Sequence, residues 1–293
     1  MPIDKEQVNK AILFLGQCYT DPQQEDIDKA ISLLRKAGVE RKELKIIKAT
    51  DVESVQQTFI PIGVPWFDQW LRGGIRKKEL LLFGATPHGG KTHLLSWFGS
   101  QALLQGFTVA NFVGEDILSD VKENYVRGVS VAPACLENLW MIDVQDSRFG
   151  VNEVESVFNK MKEEGHTPDI LVIDHVDLMK SNQTRTSQSW EMVEELMSEL
   201  KMLAKRTDTF IASASQAGYN REARGMERFY KSKTGKAGWS DLVIMIEDQQ
   251  EDMFDLALLK ARGRSKITDA ERRKTVQYNW DTMIMTDLIA GGM

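Results

Sequence analysis

The stretch best suited to chemistry is Gly84-Ala85-Thr86-Pro87-His88-Gly89-Gly90-Lys91-Thr92. An apolar run, Glu79–Phe83, leads into it and a helix-period run, Thr92–Leu104, follows. A glycine-rich loop between strand and helix aims backbone N–H groups and the positive end of the helix dipole at one point, where phosphates bind. Residues Ala85, Thr86, Pro87, His88, Gly89, Gly90, Lys91, Thr92 and His93 are therefore read as a cradle for ATP. Gly89 and Gly90 allow close backbone approach, Lys91 supplies a point charge, and the Thr92 hydroxyl ligates Mg2+. Ala85 stands where the usual pattern has its first glycine, with Gly84 just before it. The competing reading is a turn that caps a helix by chance.

Three further strand ends carry candidate groups. Asp169–Ile173 is an apolar run delivering Asp174, which is expected to hold the metal through water. Phe107–Val113 ends at Gly114-Glu115-Asp116; Glu115 is read as the group that polarises the attacking water, with Asp116 as the competing carboxylate and a solvated strand-end acid as the plain alternative. Thr209–Ala214 ends at Ser215-Gln216, and the neutral amide of Gln216 suits a sensor of the γ-phosphate, against a simple turn glutamine. Residues 217–240 show neither strand nor helix period, which is long for a structureless connection. They carry Arg221, Arg224, Arg228, Lys231, Lys233 and Lys236 interleaved with Tyr219, Phe229 and Tyr230. Cations for backbone phosphates and rings for base stacking suit single-stranded DNA, although charge runs are commonly solvated faces. Finally, Lys260, Arg262 and Arg264 close an apolar run, where they serve either a phosphate on another subunit or a basic hairpin tip.

Positioning these groups requires a particular set of elements. Strands are expected at 79–83, 107–113, 139–144, 169–173, 209–214, 241–246, 255–261, 276–280 and 283–285, with helices at 92–104, 151–164 and 190–206. Alternating strands and helices imply a parallel sheet with crossovers, and the closely spaced last strands imply an antiparallel extension. The helix at 190–206 has one apolar stripe, Val193, Leu196, Met197, Leu200 and Leu203. Ahead of this core, residues 5–16 and 24–36 have helical spacing around Asp21-Pro22, which predicts a small helical hairpin in 1–55 before a catalytic domain at 56–293. Hydrophobic residues at 42% and charged residues at 27% fit an ordinary globular chain rather than a disordered one. Two cysteines, Cys18 and Cys135, exclude a disulfide framework and a four-cysteine zinc ribbon. No run approaches the ~18 apolar residues of a membrane span, so the expected location is the cytoplasm, without a membrane partner. The 37 basic and 43 acidic residues give a net charge of −6, but the cations cluster in 217–240.

Together these residues resemble the RecA-type ATPase domain of DnaB-type hexameric replicative helicases, including those of phage. The likeness spans Phe59 to Asp287. It rests on Ile62-Gly63-Val64-Pro65-Trp66-Phe67-Asp68 ahead of Gly73-Gly74, on Ala85 heading the Gly-Lys-Thr loop, on Glu115, and on Val172-Ile173-Asp174-His175-Val176-Asp177-Leu178-Met179. Ser215-Gln216 matches the family's Ser-Gln element, 235–241 aligns loosely with its DNA loop, and Lys260-Ala261-Arg262 matches its finger motif. The resemblance implies a RecA-like α/β fold, and a homo-oligomeric ring, usually a hexamer, in a bacterial or phage-infected host cytoplasm. It implies ATP and Mg2+ at each subunit interface, Lys260 and Arg262 acting in trans, single-stranded DNA in the pore, and 5′ to 3′ travel. The resemblance does not extend to the large helical N-terminal domain that contacts primase in cellular members, where residues 1–55 are expected to form a short hairpin; primase or other replisome proteins are the further partners the resemblance implies. The rival readings are a RecA-like recombinase or annealing ATPase that forms filaments, and a helicase-loader or regulatory ATPase.

Overall fold

The computed structural model describes residue 48 and residues 59–144, 149–180, 189–217 and 235–288. The chain divides into two compact units, Met1–Gln56 and Gln57–Met293, and all the architecture below belongs to the second. The expected N-terminal hairpin lies outside the described residues.

The second unit is a nine-stranded sheet in the order β3-β2-β4-β5-β1-β6-β7-β8-β9. Its strands are β1 (Leu80–Ala85), β2 (Val109–Val113), β3 (Leu139–Asp143), β4 (Ile170–Asp174), β5 (Phe210–Gln216), β6 (Leu242–Gln250), β7 (Met253–Ala261), β8 (Arg273–Asn279) and β9 (Ile284–Asp287). The first six pair in parallel and the last three extend the sheet antiparallel. All nine expected strands are present, and the expected α/β class holds. Their ends moved by a few residues, chiefly because ladder pairing carries β5 and β6 past the apolar runs into Ser215-Gln216 and 247–250.

Helices among the described residues are α1 (Pro65–Trp70), α2 (Lys91–Leu104), α3 (Leu118–Gly128), α4 (Val151–Glu163), α5 (Ser189–Thr207) and α6 (Gly235–Trp239). The sequence expectation lacked α1, α3 and α6. α1 opens on Pro65, whose fixed φ suits a first turn. α3 carries a thin apolar stripe in which Val121 and Tyr125 are buried, too sparse to stand out among Asp120, Lys122, Glu123 and Arg127.

β1 is buried along its whole length, and its alternation divides between two cores. Leu81, Phe83 and Ala85 face a cluster with Phe67, Trp70, Trp97 and Phe98 from α1 and α2. Leu80 and Leu82 face the opposite cluster with Phe158 from α4 and Leu196, Met197, Leu200 and Leu203 from α5. The predicted α5 stripe therefore forms core. Helices on both faces explain why the central strands read as unbroken apolar runs. They also leave the C-terminal ends of the parallel strands as an edge where the candidate site residues converge.

The sheet order explains segment 217–240. β5 and β6 flank β1 and run parallel to it, so the chain must cross the sheet from one end to the other between them. A crossover of a dozen or more residues is obligatory there. Its length is thus a demand of topology and carries no functional weight by itself. The expectation that 217–240 contains no helix is also corrected, because α6 occupies its last part.

Candidate nucleotide site

β1 ends at Ala85, and the loop turns into α2 through Gly90 at φ 77°, a left-handed conformation that a side chain would strain. That turn aims the N-terminus of α2 outward and brings Lys91 and Thr92 to its first positions. Lys91 is buried, 7% exposed. The Thr92 hydroxyl donates a 2.8 Å hydrogen bond to Asp174 Oδ2 at the end of β4. The contact spans 82 residues of sequence and two strand positions in the sheet.

The registers of the ladders bring four strand ends level. Val113 pairs with Asp174, Ile173 with Ser213, and Ala85 with Gln216. Gly114 continues the approach: its N–H donates to the Asp174 carbonyl at 3.1 Å, and a Cβ there would fall 2.9 Å from that same oxygen. A side chain would push β2 away from β4. Glu115 therefore arrives beside Asp174, with its side chain 47% exposed and Oε2 3.0 Å from His175 Nε2. Gln216 is exposed beside Ala85; its backbone N–H donates to Asp177 Oδ2 at 2.7 Å, and the next N–H, of Ala217, donates to the Ala85 carbonyl.

A cavity of about 590 Å³ opens at this edge. His88, Gly89, Gly90, Lys91, Thr92 and His93 line it together with Glu115 and Asp116. Of the proposed cradle, Ala85, Thr86 and Pro87 fall outside that lining: Ala85 is still strand, hydrogen-bonded toward β5. The far wall is Asn124 and Arg127 from α3 and Trp280 from beyond β8. Sequence reasoning gave these three no role, since each is an ordinary residue until the fold brings it to the loop. Trp280 stands edge-on to His93 with centroids 4.9 Å apart, and burial lowers the His93 pKa, with Asp116 opposing.

Burial raises the Asp174 pKa, and the nearby Asp116 and Glu115 push the same way, against the Thr92 hydrogen bond and the His175 ring. Its Oδ1 is buried and accepts no hydrogen bond. A buried carboxylate oxygen without a partner, next to a hydroxyl at a helix N-terminus, is a donor set for a hard cation. Mg2+ takes one or two protein oxygens and completes its shell with phosphate and water, so the residues fit it.

Asp174 and Gln216 are not among the lining residues, although Asp174 reaches the lining residue Thr92 through its hydrogen bond; Lys260 and Arg262 are absent from the lining as well. Lys260 pairs with Val243 in the β6–β7 ladder, and Val243 pairs with Leu82, midway along β1. That row lies three residues before Ala85, or about 10 Å of strand. There Lys260 Nζ donates to the carbonyls of Ala237 and Gly238, at 2.8 and 2.7 Å, at the C-terminal end of α6. Desolvation lowers its pKa, aided by Arg262. Arg262 is half exposed, 3.8 Å from Asp241 Oδ1. Arg264 is no hairpin tip: its side chain is fully buried, bound to both oxygens of Glu79 and to the carbonyls of Leu71 and Gly74.

Of the six residues read as DNA-binding, Arg221, Arg224, Arg228, Lys231 and Lys233 lie outside the described residues, and Lys236 falls within α6. No helix among the described residues is long and apolar enough to cross a membrane.

Comparison with known proteins adds three findings. Residues 119–238 match the family model "DnaB-like helicase C terminal domain". A stretch of 168 residues is 27% identical to the DNA repair protein RadA of Streptococcus pyogenes serotypes M6 and M18, covering 56% of this chain. The chain spans about a third of the length of these curated relatives. Among solved structures, the fold matches an ATPase domain with a TM-score of 0.66 at 16% identity, over 89% of this chain and 98% of that one. It also matches "The Structure Of A DnaB-Like Replicative Helicase And Its Interactions With Primase" with a TM-score of 0.65 at 16% identity, over 96% of this chain and 76% of that one.

Proposed function

We propose that this chain, whose residues 119–238 match the DnaB-like helicase C-terminal domain model and whose fold resembles solved ATPase domains, is a RecA-type ATPase of that family that couples nucleotide hydrolysis to movement along single-stranded DNA. The single observation supporting it is the 2.8 Å contact between Thr92 and Asp174 at the mouth of a glycine-rich loop. In this reading the loop N–H groups and Lys91 bind the phosphates of ATP, and Thr92 and Asp174 hold Mg2+. The bound cation would neutralise phosphate charge. Glu115 orients the attacking water, while Gln216 contacts the γ-phosphate region from the next strand end. Arg127, Asn124 and Trp280 form the wall that meets the rest of the nucleotide. The cytoplasm is the compartment this activity implies.

Lys260, about 10 Å back along the sheet from the end of β1, and Arg262 beyond it do not line this chain's own cavity, so in this reading they serve the site of a neighbouring copy. A closed ring satisfies that requirement for every copy, with the strand in its pore contacted by 217–240. A primase-type partner would dock on such a ring, as in the structural neighbour whose description names primase.

The first test is Lys91→Ala, expected to abolish ATP turnover; undiminished hydrolysis would overturn the site assignment. A forked-duplex unwinding assay with each tail polarity then tests the motor, with 5′ to 3′ travel expected. The likeness to proteins named for DNA repair favours one alternative, a strand-pairing ATPase. Electron micrographs with ATP and DNA separate the two: rings support the helicase, and open filaments support the alternative.

A further inference from the structure

Three strand ends of the site, those of β2, β4 and β5, are joined by side chains that the nucleotide chemistry described above leaves without a role. His175, directly after β4, is 2% exposed. Its Nε2 lies 3.0 Å from Glu115 Oε2, and its Nδ1 lies 3.3 Å from Asp177 Oδ2, a close approach without hydrogen-bond alignment. Asp177 in turn accepts the Ser215 hydroxyl at 3.0 Å and the Gln216 N–H at 2.7 Å, both through Oδ2. The chain of contacts thus runs from Glu115 through His175 and Asp177 to Gln216, the last residue of β5, just before the crossover 217–240.

We propose that His175 and Asp177 are positioning residues, which hold the Glu115 carboxylate and the β5 exit in one rigid unit. The proposal rests on Glu115 as the residue that orients water. A half-exposed glutamate has several rotamers, and only those that aim an oxygen at the water are productive. Anchoring Oε2 on a ring that is itself walled in by the core removes most of that freedom and leaves Oε1 to meet the water. Burying an imidazole in a core is costly unless its polar atoms are matched. Glu115 stands at one ring nitrogen at 3.0 Å, while the other lies 3.3 Å from Asp177 without an aligned hydrogen bond. Through Asp177, any shift of the Gln216 backbone is felt at His175, so the position of the crossover and that of the carboxylate are linked.

The test uses the full chain with four substitutions: His175→Asn, His175→Gln, Asp177→Asn and Glu115→Gln. ATP turnover is measured with and without an oligo-dT strand, binding is measured with a fluorescent ATP analogue, and Tm is recorded for each. His175→Asn withdraws the donor from Glu115 and is expected to lower kcat by roughly 10- to 100-fold, the scale of a 1 Å misplacement, with analogue affinity within about threefold of wild type. The glutamine amide nitrogen reaches where Nε2 stood, so His175→Gln is expected to keep kcat within about fivefold. Asp177→Asn retains an oxygen for Gln216 but no charge beside Nδ1, and a fall of about tenfold in kcat is expected. Equal losses for the asparagine and glutamine variants at His175, tracking Tm, would overturn the proposal in favour of simple packing. Wild-type kcat in His175→Asn would also overturn it, and wild-type kcat in Asp177→Asn would remove Asp177 from it. If His175→Asn fails to fold, the glutamine and Asp177 variants still decide: loss of kcat beyond tenfold in folded His175→Gln contradicts the proposal. Full turnover in Glu115→Gln would instead sink the assignment of the base, a result distinct from all of these.

Discussion

Asp174 is under electrostatic tension. It is 1% exposed, one of its oxygens has no hydrogen-bond partner, and two other carboxylates crowd it. A carboxylate held in such surroundings lowers the stability of the fold that carries it. Asp174→Asn keeps an oxygen for the Thr92 hydroxyl and removes the charge. In chelator-treated, nucleotide-free protein near neutral pH it is expected to raise stability by about 1 kcal/mol, or roughly 2–4 °C in Tm, while abolishing turnover. The sign with pH follows from the raised pKa of a carboxyl group. Wild-type stability falls as pH climbs from the ordinary carboxylate value through the raised folded value, so the advantage of the variant grows over that window and vanishes below it. Calorimetry across pH checks this, and a Tm below wild type near neutral pH would refute it. That Lys91, Thr92 and Asp174 stand at strand and loop ends was legible in the sequence, because each has a distinctive neighbour there. His175 was not, because its role depends on which way a buried ring faces.

At the scale of elements, the loop after β7 is tied to the start of β1. Arg264 and Arg76 both hold Glu79, and Arg76 and Arg264 also lie about 5 Å from the Phe59 ring. Removing one member of a buried ion pair strands the other, which typically costs ~3–5 kcal/mol. Arg76 remains to pair Glu79, so Arg264→Leu is expected near the lower figure, about 3 kcal/mol by urea denaturation. A loss under about 1 kcal/mol would mean that Arg76 alone suffices. This anchoring also sets Lys260 and Arg262 apart from Arg264, a distinction invisible in a run of alternating cations. Lys260 holds the C-terminal carbonyls of α6, a helix too short and glycine-rich to announce itself by period. The strands, by contrast, were readable as apolar runs because both faces of the central sheet are covered.

For the whole molecule, the separation of Lys260 and Arg262 from the Lys91 cavity bears on the proposed assembly. In the proposed ring, Lys260→Ala and Arg262→Ala keep nucleotide binding and lose turnover. Mixing either chain with an Asp174→Ala chain is expected to restore part of the activity, because some interfaces then pair an intact cavity with intact cations. Absence of rescue at every mixing ratio would count against action in trans. Neutralising Arg224, Arg228 and Lys231 is expected to weaken strand binding uniformly and to flatten its dependence on salt, the mark of lost phosphate contacts. Binding measured at several salt concentrations decides it, and an unchanged slope would remove 217–240 from the DNA path.

The amino-acid sequence by itself determined the elements with strong local signatures: nine strands from apolar runs, the glycine-rich loop, and the acids at strand ends. Those depend on residue type and short spacing, which local physics controls. Only the tertiary structure decided that Thr92 meets Asp174, that Trp280 and Arg127 wall the cavity, and that His175 links Glu115 to Asp177. It also decided that 217–240 is long because parallel strands flanking β1 require a crossover. Such facts depend on strand order and register, which are global properties of how the cores close, and no window of sequence contains them.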